Sequence, residues 1–197
     1  MTAPTPDALP ALLFTEARTF TRFLDRPIDD ALIEQLYELV KWGPTSMNCQ
    51  PARWVFVRSG EAKARLLPAV APGNQAAVQA APVTVIVALD RKFHEQLATQ
   101  FPVHPGAGAM MQSNPAMAES TALRNSSLQG AYLICAARAL GLDAGPMSGF
   151  DTAAVDAAFF PDGQWHANFL INLGWGDRAT LRPRLPRLAF NDVARIA

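Results

Sequence analysis

Ile33, Leu36, Tyr37 and Val40 recur at the three- and four-residue spacing of one helix face, directly after Asp29 and Asp30. The two acids supply an N-cap and a favourable first-turn charge, so the spacing predicts a helix to about Lys41. Trp54 to Val57 is a short apolar run between Arg53 and Arg58, the mark of a strand. Val83 to Leu89 is continuous and β-rich, as a central strand covered on both faces requires. Ala167 to Leu173, closed by Gly174 and Gly176, predicts a third strand. From about Pro115 to Leu140 the Ala- and Leu-rich pattern (Ala118, Ala122, Leu128, Ala131, Tyr132, Cys135, Ala139) predicts a mostly buried helix that stops at Gly141. Shorter helices are expected over Leu9 to Ala17, from a Ser59 cap through Leu67, and from an Asp151 cap to about Phe160.

Between these elements the pattern weakens. Pro68 to Ala81 shows little periodicity, and Asp90 to Asn114 reads as an irregular, lid-like excursion. Leu142 to Phe150, with Gly145-Pro146-Met147-Ser148-Gly149, reads as a loop of small residues. In the tail, residues 177–197, Arg178, Arg182, Arg184 and Arg187 interleave with Leu181, Leu185, Leu188 and Phe190, and Pro183 and Pro186 forbid a regular helix before about Asn191. An extended arm cannot bury alternating leucines against itself, so it needs a partner subunit or the rest of the domain. Trp42 to Pro51 is the remaining loop, with hydroxyls at Thr45 and Ser46, carboxamides at Asn48 and Gln50, and a proline near each end. Such groups suit a heteroaromatic ring rich in nitrogens and carbonyls, although a lone loop of this composition is more commonly a solvated turn.

Composition narrows the choices. With 197 residues, half of them apolar, the chain suits one well-buried domain. Seventeen basic and 17 acidic residues argue against nucleic acid and anionic membranes, leaving small molecules or protein as partners. Two cysteines, Cys49 and Cys135, make neither a disulfide framework nor a metal spacing. Met1 to Pro10 lacks the basic and apolar segments of a signal peptide, and Ser126 to Ala137 is too short to cross a bilayer, so a soluble cytoplasmic protein is expected. No G-x-G-x-x-G or G-K-[ST] occurs, so any phosphate must be held by side chains. His94, His104 and His166 lack metal-ligand spacing, Ser148 lacks the first glycine of a nucleophile elbow, and Cys49 reads as a packing thiol. Neither a metal nor a protein nucleophile is implied.

Four pieces of the chain, in order, resemble the flavin-dependent nitroreductase family: Arg18-Thr19-x-x-Arg22; Pro44-Thr45-Ser46-x-Asn48-x-Gln50-Pro51; Gly141-Leu142 through Pro146-Met147-Ser148-Gly149-Phe150-Asp151; and Gly174 with Arg182-x-Arg184-Leu185-Pro186. The resemblance implies an α+β fold, a mostly antiparallel central sheet flanked by helices, in a homodimer that exchanges C-terminal arms and holds FMN near the subunit interface. It implies ping-pong oxidoreduction with NADPH or NADH as hydride donor. Arg18, Arg182 and Arg184 would hold the FMN phosphate with help from Thr19. Ser46, Asn48 and Gln50 would meet the ribityl chain and ring edge, and Pro146 and Met147, in the second flavin loop, would also bind the cofactor. The backbone amides of Ser148 and Gly149 would face the N5/O4 edge and form the catalytic pair. Thr21 stands where many relatives carry Lys or Arg, and Ser148 where some carry Glu. The implied acceptors are nitro compounds, quinones or a small semialdehyde acid, for whose carboxylate Arg53 and Arg124 are the candidate cations. A flavin-binding or purely structural dimer is the non-enzymatic alternative.

Overall fold

The computed structural model describes residues 8–197. Its centre is one sheet of four strands, β1 (Ala52–Val57), β2 (Val83–Asp90), β3 (Asp143–Met147) and β4 (Trp165–Gly174), in the order β1-β2-β4-β3 with every neighbouring pair antiparallel. Three of the four coincide with the expected runs. The fourth, β3, lies where a loop of small residues is expected. Gly145 and Pro146 hide it from any propensity argument, yet an edge strand tolerates both. On its outer side β3 meets the N-terminal segment, where Thr19 pairs in parallel with Ala144 and the Phe20 amide donates to the Ala144 carbonyl at 3.2 Å. That approach needs Gly145, since a Cβ there would stand 2.2 Å from the Phe20 carbonyl oxygen.

Strand β2 is buried along its whole length, as its unbroken apolar run implies. On one face Val83, Val85 and Val87 pack with Ile171 and Leu173 under the helix Asp30–Val40 and the later turns of the central helix Pro115–Ala139. On the other, Ile86, Ala88, Ala167 and Leu170 meet Leu66, Val78 and Val155 from the helices Gly60–Leu66, Pro72–Ala80 and Thr152–Phe159. Helix starts follow the caps read from sequence: Asp29 accepts from the Leu32 amide at 2.8 Å, Ser59 from Ala62 at 3.1 Å and Asp151 from Ala154 at 3.1 Å. Gly141, with φ of 79°, ends the central helix in the left-handed conformation.

Several expectations are corrected. Pro72–Ala80 is helical although residues 68–81 lack periodicity; Pro72 opens it, and the Lys63 ammonium, donating to the Gln79 and Ala81 carbonyls, closes it. The first helix is only the turn Ala8–Pro10 continued by a π-helical turn Ala11–Thr15. Residues 90–114 are not a bare lid: Phe93, Leu97, Ala107 and Met111 are buried with Cys49, Leu89, Ala118 and Ala122 as a third cluster at the end of the sheet. The arm runs irregularly from the turn Arg178–Thr180 to Phe190–Val193, with Leu185 77% and Leu188 74% exposed. Among the described residues no helix is long and apolar enough to cross a membrane.

Gly145→Ala tests the edge. It is expected to lower stability in urea denaturation by about 1–3 kcal/mol, the usual cost of overpacking. Gly60→Ala, where an added Cβ meets nothing within 4 Å, is expected to leave the midpoint unchanged or slightly raised.

Candidate functional site

The loop between Trp42 and Pro51 contains a short turn, Ser46–Asn48, and its residues Met47, Asn48 and Gln50 have φ of 53°, 49° and 38°. Three non-glycine residues in the left-handed region within four positions are costly, roughly 1–3 kcal/mol each, and persist only where surroundings over-determine them. The surroundings are polar side chains of the central helix and the excursion. Asn125 accepts from the Ser46 amide at 2.8 Å while giving its own amide to the Thr121 carbonyl, and Gln129 accepts from the Ala52 amide at 2.9 Å. Gln100 accepts from Asn48 Nδ2 through its carbonyl at 2.9 Å and from Gln50 Nε2 through its side chain at 3.1 Å. Asn125 and Gln129 are buried on the helix face that packs against the sheet, beside Thr121 and Ser126, so each bond made there is worth more than its solvated equivalent. Thr45 Oγ1 closes the turn by accepting from the Gln50 amide at 3.2 Å.

Cys49 is buried beneath this loop, and desolvation pushes its thiol up to about 11. Its thiolate is scarce at neutral pH, which excludes the residue as a nucleophile and agrees with a packing role.

The arginines form a second locus. Arg18 donates through Nη2 to the Arg182 carbonyl at 2.5 Å, and Arg184 Nη2 donates to the carbonyls of Thr15 and Ala17 at 2.7 and 3.0 Å. The N-terminal segment and the arm are thereby tied together beside β3. None of Arg18, Arg182 and Arg184 has a carboxylate partner among the described residues. The Arg18 and Arg184 guanidinium groups, held by neutral carbonyls beside the backbone of Arg182, give a cluster of cationic residues without a carboxylate partner among the described residues, which suits a phosphate dianion. Thr19, exposed and paired to β3 by its backbone, adds a hydroxyl.

At the far end of β3, Pro146 and Met147 lead to Ser148 and Gly149. The Gly149 carbonyl accepts from the Ala71 amide at 3.0 Å and from Asn74 Nδ2 at 3.2 Å, which fixes the turn against the helix Pro72–Ala80. The Ser148 and Gly149 amides meet no acceptor among the described residues. Two adjacent uncommitted donors, four to five residues along one strand from the arginine corner, fit a ligand with a phosphate at one end and an electron-rich ring edge at the other.

The structure therefore brings Arg18, Thr19, Arg182 and Arg184 together with the strand that carries Pro146, Met147, Ser148 and Gly149. It does not bring Ser46, Asn48 and Gln50 to them within one chain. Their loop enters β1, at the opposite edge of the sheet, three strand spacings or roughly 14 Å from β3. Through β2 and β4, Ala52 is level with His166 whereas Ala144 is level with Leu173 and Met147 with Leu170, which adds about 20 Å along the strands to the arginine corner and roughly 10 Å to the far end of β3.

Of the two cations suggested for a carboxylate, Arg53 is already engaged: Nη1 donates to the Gln50 and Ala52 carbonyls at 3.0 and 2.9 Å, and Nη2 pairs with Asp90 at 2.6 Å. Arg124 is exposed on the outer side of the central helix, next to Asn125, and has no ion pair among the described residues. Four residues that shape the site escape sequence reading. Asn74 and Gln100 lie in segments without periodicity and carry no signal, whereas Asn125 and Gln129, four apart on an Ala-rich helix, do carry one.

The architecture is thus an α+β scaffold carrying an arginine corner, an amide turn and a strained amide-bearing loop. Residues 15–175 match the model of the nitroreductase family. The chain is 61% identical over 184 residues to a Burkholderia lata protein provisionally named an NADH dehydrogenase/NAD(P)H nitroreductase, covering 93% of this chain and 94% of that protein. A Rhodopseudomonas palustris protein with the same provisional name is 55% identical over the full length of both. A structure from Exiguobacterium sibiricum, described as a nitroreductase in complex with FMN, superposes with a TM-score of 0.83 at 25% identity, covering 100% of this chain and 99% of that one. The chain belongs to the nitroreductase family.

Two measurements probe the loop. Asn125→Ala leaves the Ser46 amide and the Thr121 carbonyl without their partner and is expected to cost about 1–3 kcal/mol, seen as hydrogen exchange at Ser46 faster by roughly tenfold or more. At pH 8 only about one Cys49 in a thousand is ionised, so a thiol reagent should label the partly exposed Cys135 first and Cys49 only on unfolding.

Proposed function

We propose that the chain acts as an FMN-dependent NAD(P)H oxidoreductase, one domain per subunit of a cytoplasmic homodimer, and that its acceptor is malonic semialdehyde, reduced to 3-hydroxypropionate in pyrimidine degradation. The observation that carries the flavin reading is the meeting of Arg18, Thr19, Arg182 and Arg184 beside β3, whose far end presents the two unmet amides of Ser148 and Gly149. The FMN in the Exiguobacterium structure and the nicotinamide-linked names of the relatives support it.

FMN, when bound, supplies hydride uptake from the nicotinamide and hydride delivery to the acceptor. The chain's own residues then do four things. The three arginines and Thr19 hold the phosphate, and the Ser148 and Gly149 amides donate to the ring edge where negative charge develops. Asn74 and the Ala71 amide keep that turn in place by binding the Gly149 carbonyl. Ser46, Asn48 and Gln50, too far across the sheet to serve the same pocket, reach the ring from a second copy of the chain. Trp42 (79% exposed), Leu123 and Tyr132 beside that loop, and Leu185 and Leu188 on the arm, offer the apolar surface such a pairing buries.

The semialdehyde rests on wording: Lys41-Trp42-Gly43-Pro44-Thr45-Ser46-Met47-Asn48-Cys49-Gln50-Pro51-Ala52-Arg53, the run from Arg124 to Ile134, Gly141 to Asp151, and Arg184-Leu185-Pro186-Arg187-Leu188 are similar to malonic semialdehyde reductase. Arg124, exposed and without an ion pair among the described residues, is the cation assigned to the substrate carboxylate in place of the engaged Arg53. A broad nitro- and quinone-reductase is the second reading, favoured by the names of the relatives.

Steady-state turnover of the yellow holoprotein separates the two. The expected result is a kcat/KM for malonic semialdehyde above that for a nitroaromatic, with NADH and NADPH each tried. Arg124→Ala should lower the semialdehyde value about tenfold while sparing the nitroaromatic. Equal loss for both acceptors removes Arg124 from carboxylate recognition; a preference for the nitroaromatic selects the broad reductase; a colourless protein that takes up no FMN sinks the flavin reading.

A further inference from the structure

A cavity of about 370 Å³ opens at the end of the sheet, between the tips of β2 and β4 and the start of the central helix, away from the arginine corner and the Ser148 turn. One wall is apolar, made by Leu89, Met111, Ala118 and Ala122. These residues belong to the cluster that buries Cys49, so the wall's other side supports the Ser46–Gln50 loop. The rest of the lining is chemically unlike a packing defect. Arg91 and Glu119, both exposed, line it, one from just past β2 and one from the first turns of the central helix; neither forms an ion pair with a carboxylate or an ammonium group among the described residues, while Arg91 lies against the Gly163 carbonyl (3.5 Å) and His166 Nδ1 (3.4 Å). His166 and His94 complete it.

The two histidines are poised differently. His166 Nδ1 lies 2.5 Å from Asp156 Oδ2, and because an ionised carboxylate only accepts, Nδ1 must carry the hydrogen. The ring is thus oriented, its Nε2 has no partner among the described residues, and Asp156 is anchored in turn by accepting from the Ala167 amide at 2.8 Å. His94 Nδ1 is buried and makes no hydrogen bond. It is an unmet polar atom on a residue that lines the cavity, and a small movement of the ring would be needed to offer it to an occupant.

We infer that this cavity is a second ligand site, and that it takes a zwitterionic amino acid with an aliphatic side chain. Arg91, together with the positive end of the central helix, which Pro115 opens at the cavity wall, meets the carboxylate. Glu119 meets the ammonium group. The His94 and His166 rings supply further hydrogen bonds, and the Leu89, Met111, Ala118 and Ala122 wall receives the hydrocarbon. The volume lies within the range of small-molecule sites. Unpaired charges of opposite sign on one concave, partly apolar surface match a ligand that carries both signs on an apolar body; a simple acid would be repelled by Glu119 and a simple amine by Arg91. An occupant stiffens the wall that carries Cys49 and so the loop above it.

Isothermal titration of the flavin-loaded protein with L-leucine tests this, with isocaproate and isopentylamine as probes lacking one charge each. Saturable binding of leucine is expected, at least tenfold tighter than either probe, and weakened tenfold or more by Arg91→Ala and by Glu119→Gln. The flavin spectrum should keep its bound character throughout. If leucine gives no saturable heat at millimolar concentration, or if isocaproate binds as well as leucine, the inference is wrong. It is equally wrong if leucine binds but both variants bind it unchanged, since the site then lies elsewhere. Thermal unfolding of each variant distinguishes loss of the site from loss of the fold.

Discussion

The pairing of β3 with β4 on one side and with the Thr19–Phe20 segment on the other is the constraint on which the remaining structure depends. A strand of five residues containing a glycine and a proline has little intrinsic tendency to form, and its stability comes from what it joins. Along its length it sets the spacing between the arginine corner and the Ser148–Gly149 turn, because both are attached to it. Across its width it sets how close residues 18–20 approach the sheet, because Gly145 leaves no side chain between them. Arg18 and Arg184 then tie the N-terminal segment and the arm by bonding each to the other's backbone carbonyls. Neutral carbonyls hold the guanidinium groups in position without cancelling their charge, which a carboxylate in the same place would do.

At the opposite edge the same problem is solved with amides. The Ser46–Gln50 turn carries three residues in a backbone conformation that costs each of them energy. Asn125 and Gln129, buried in the central helix, offset that cost by accepting backbone amides that would otherwise be unmet in a dry environment. The helix is long and has few large side chains on its buried face, so it lies close to the sheet; at Gly130 an added Cβ would stand 2.2 Å from the Phe169 ring. The small residues that let it sit there are also what bring two carboxamides within reach of the loop.

Much of this was legible in the residues. The caps at Asp29, Ser59 and Asp151, the buried run of β2 and the long Ala-rich helix follow from local chemistry, and the structure agrees with them. What was not legible depends on partners distant in sequence. β3 is a strand because β4 and residue 19 are there to pair with it, and nothing in Asp143-Ala144-Gly145-Pro146-Met147 announces that. The helix Pro72–Ala80 is held by tertiary contacts and by Lys63 rather than by periodicity. Residues 93–113 look irregular because their apolar positions, Phe93, Leu97, Ala107 and Met111, serve three short turns and not one long one. Arg53 looks like an available cation until Asp90, 37 positions away, is seen to hold it. The same blindness makes His166 ordinary in sequence, since its partner Asp156 sits on a different element.

If the arginine corner and the amide turn are the two halves of one binding site, as proposed, their placement at opposite corners of one sheet has an energetic consequence. Each half is stable alone: the arginine corner through backbone carbonyls, the amide turn through the central helix. Neither half contains both the charge to hold a phosphate and the side-chain amides to hold a ring. If a second copy supplies the missing half, ligand binding and association share one free energy, and each tightens the other by the same factor. The exposed Trp42, Leu185 and Leu188 would then contribute to association only as far as the apolar area they bury exceeds the entropy of ordering the arm. The arginines at the root of that arm, Arg18, Arg182 and Arg184, have no carboxylate partner among the described residues, so their mutual repulsion subtracts from what the backbone carbonyls contribute to ordering it. A phosphate bound at that root would remove the repulsion, and the arm would then be best ordered with the ligand in place.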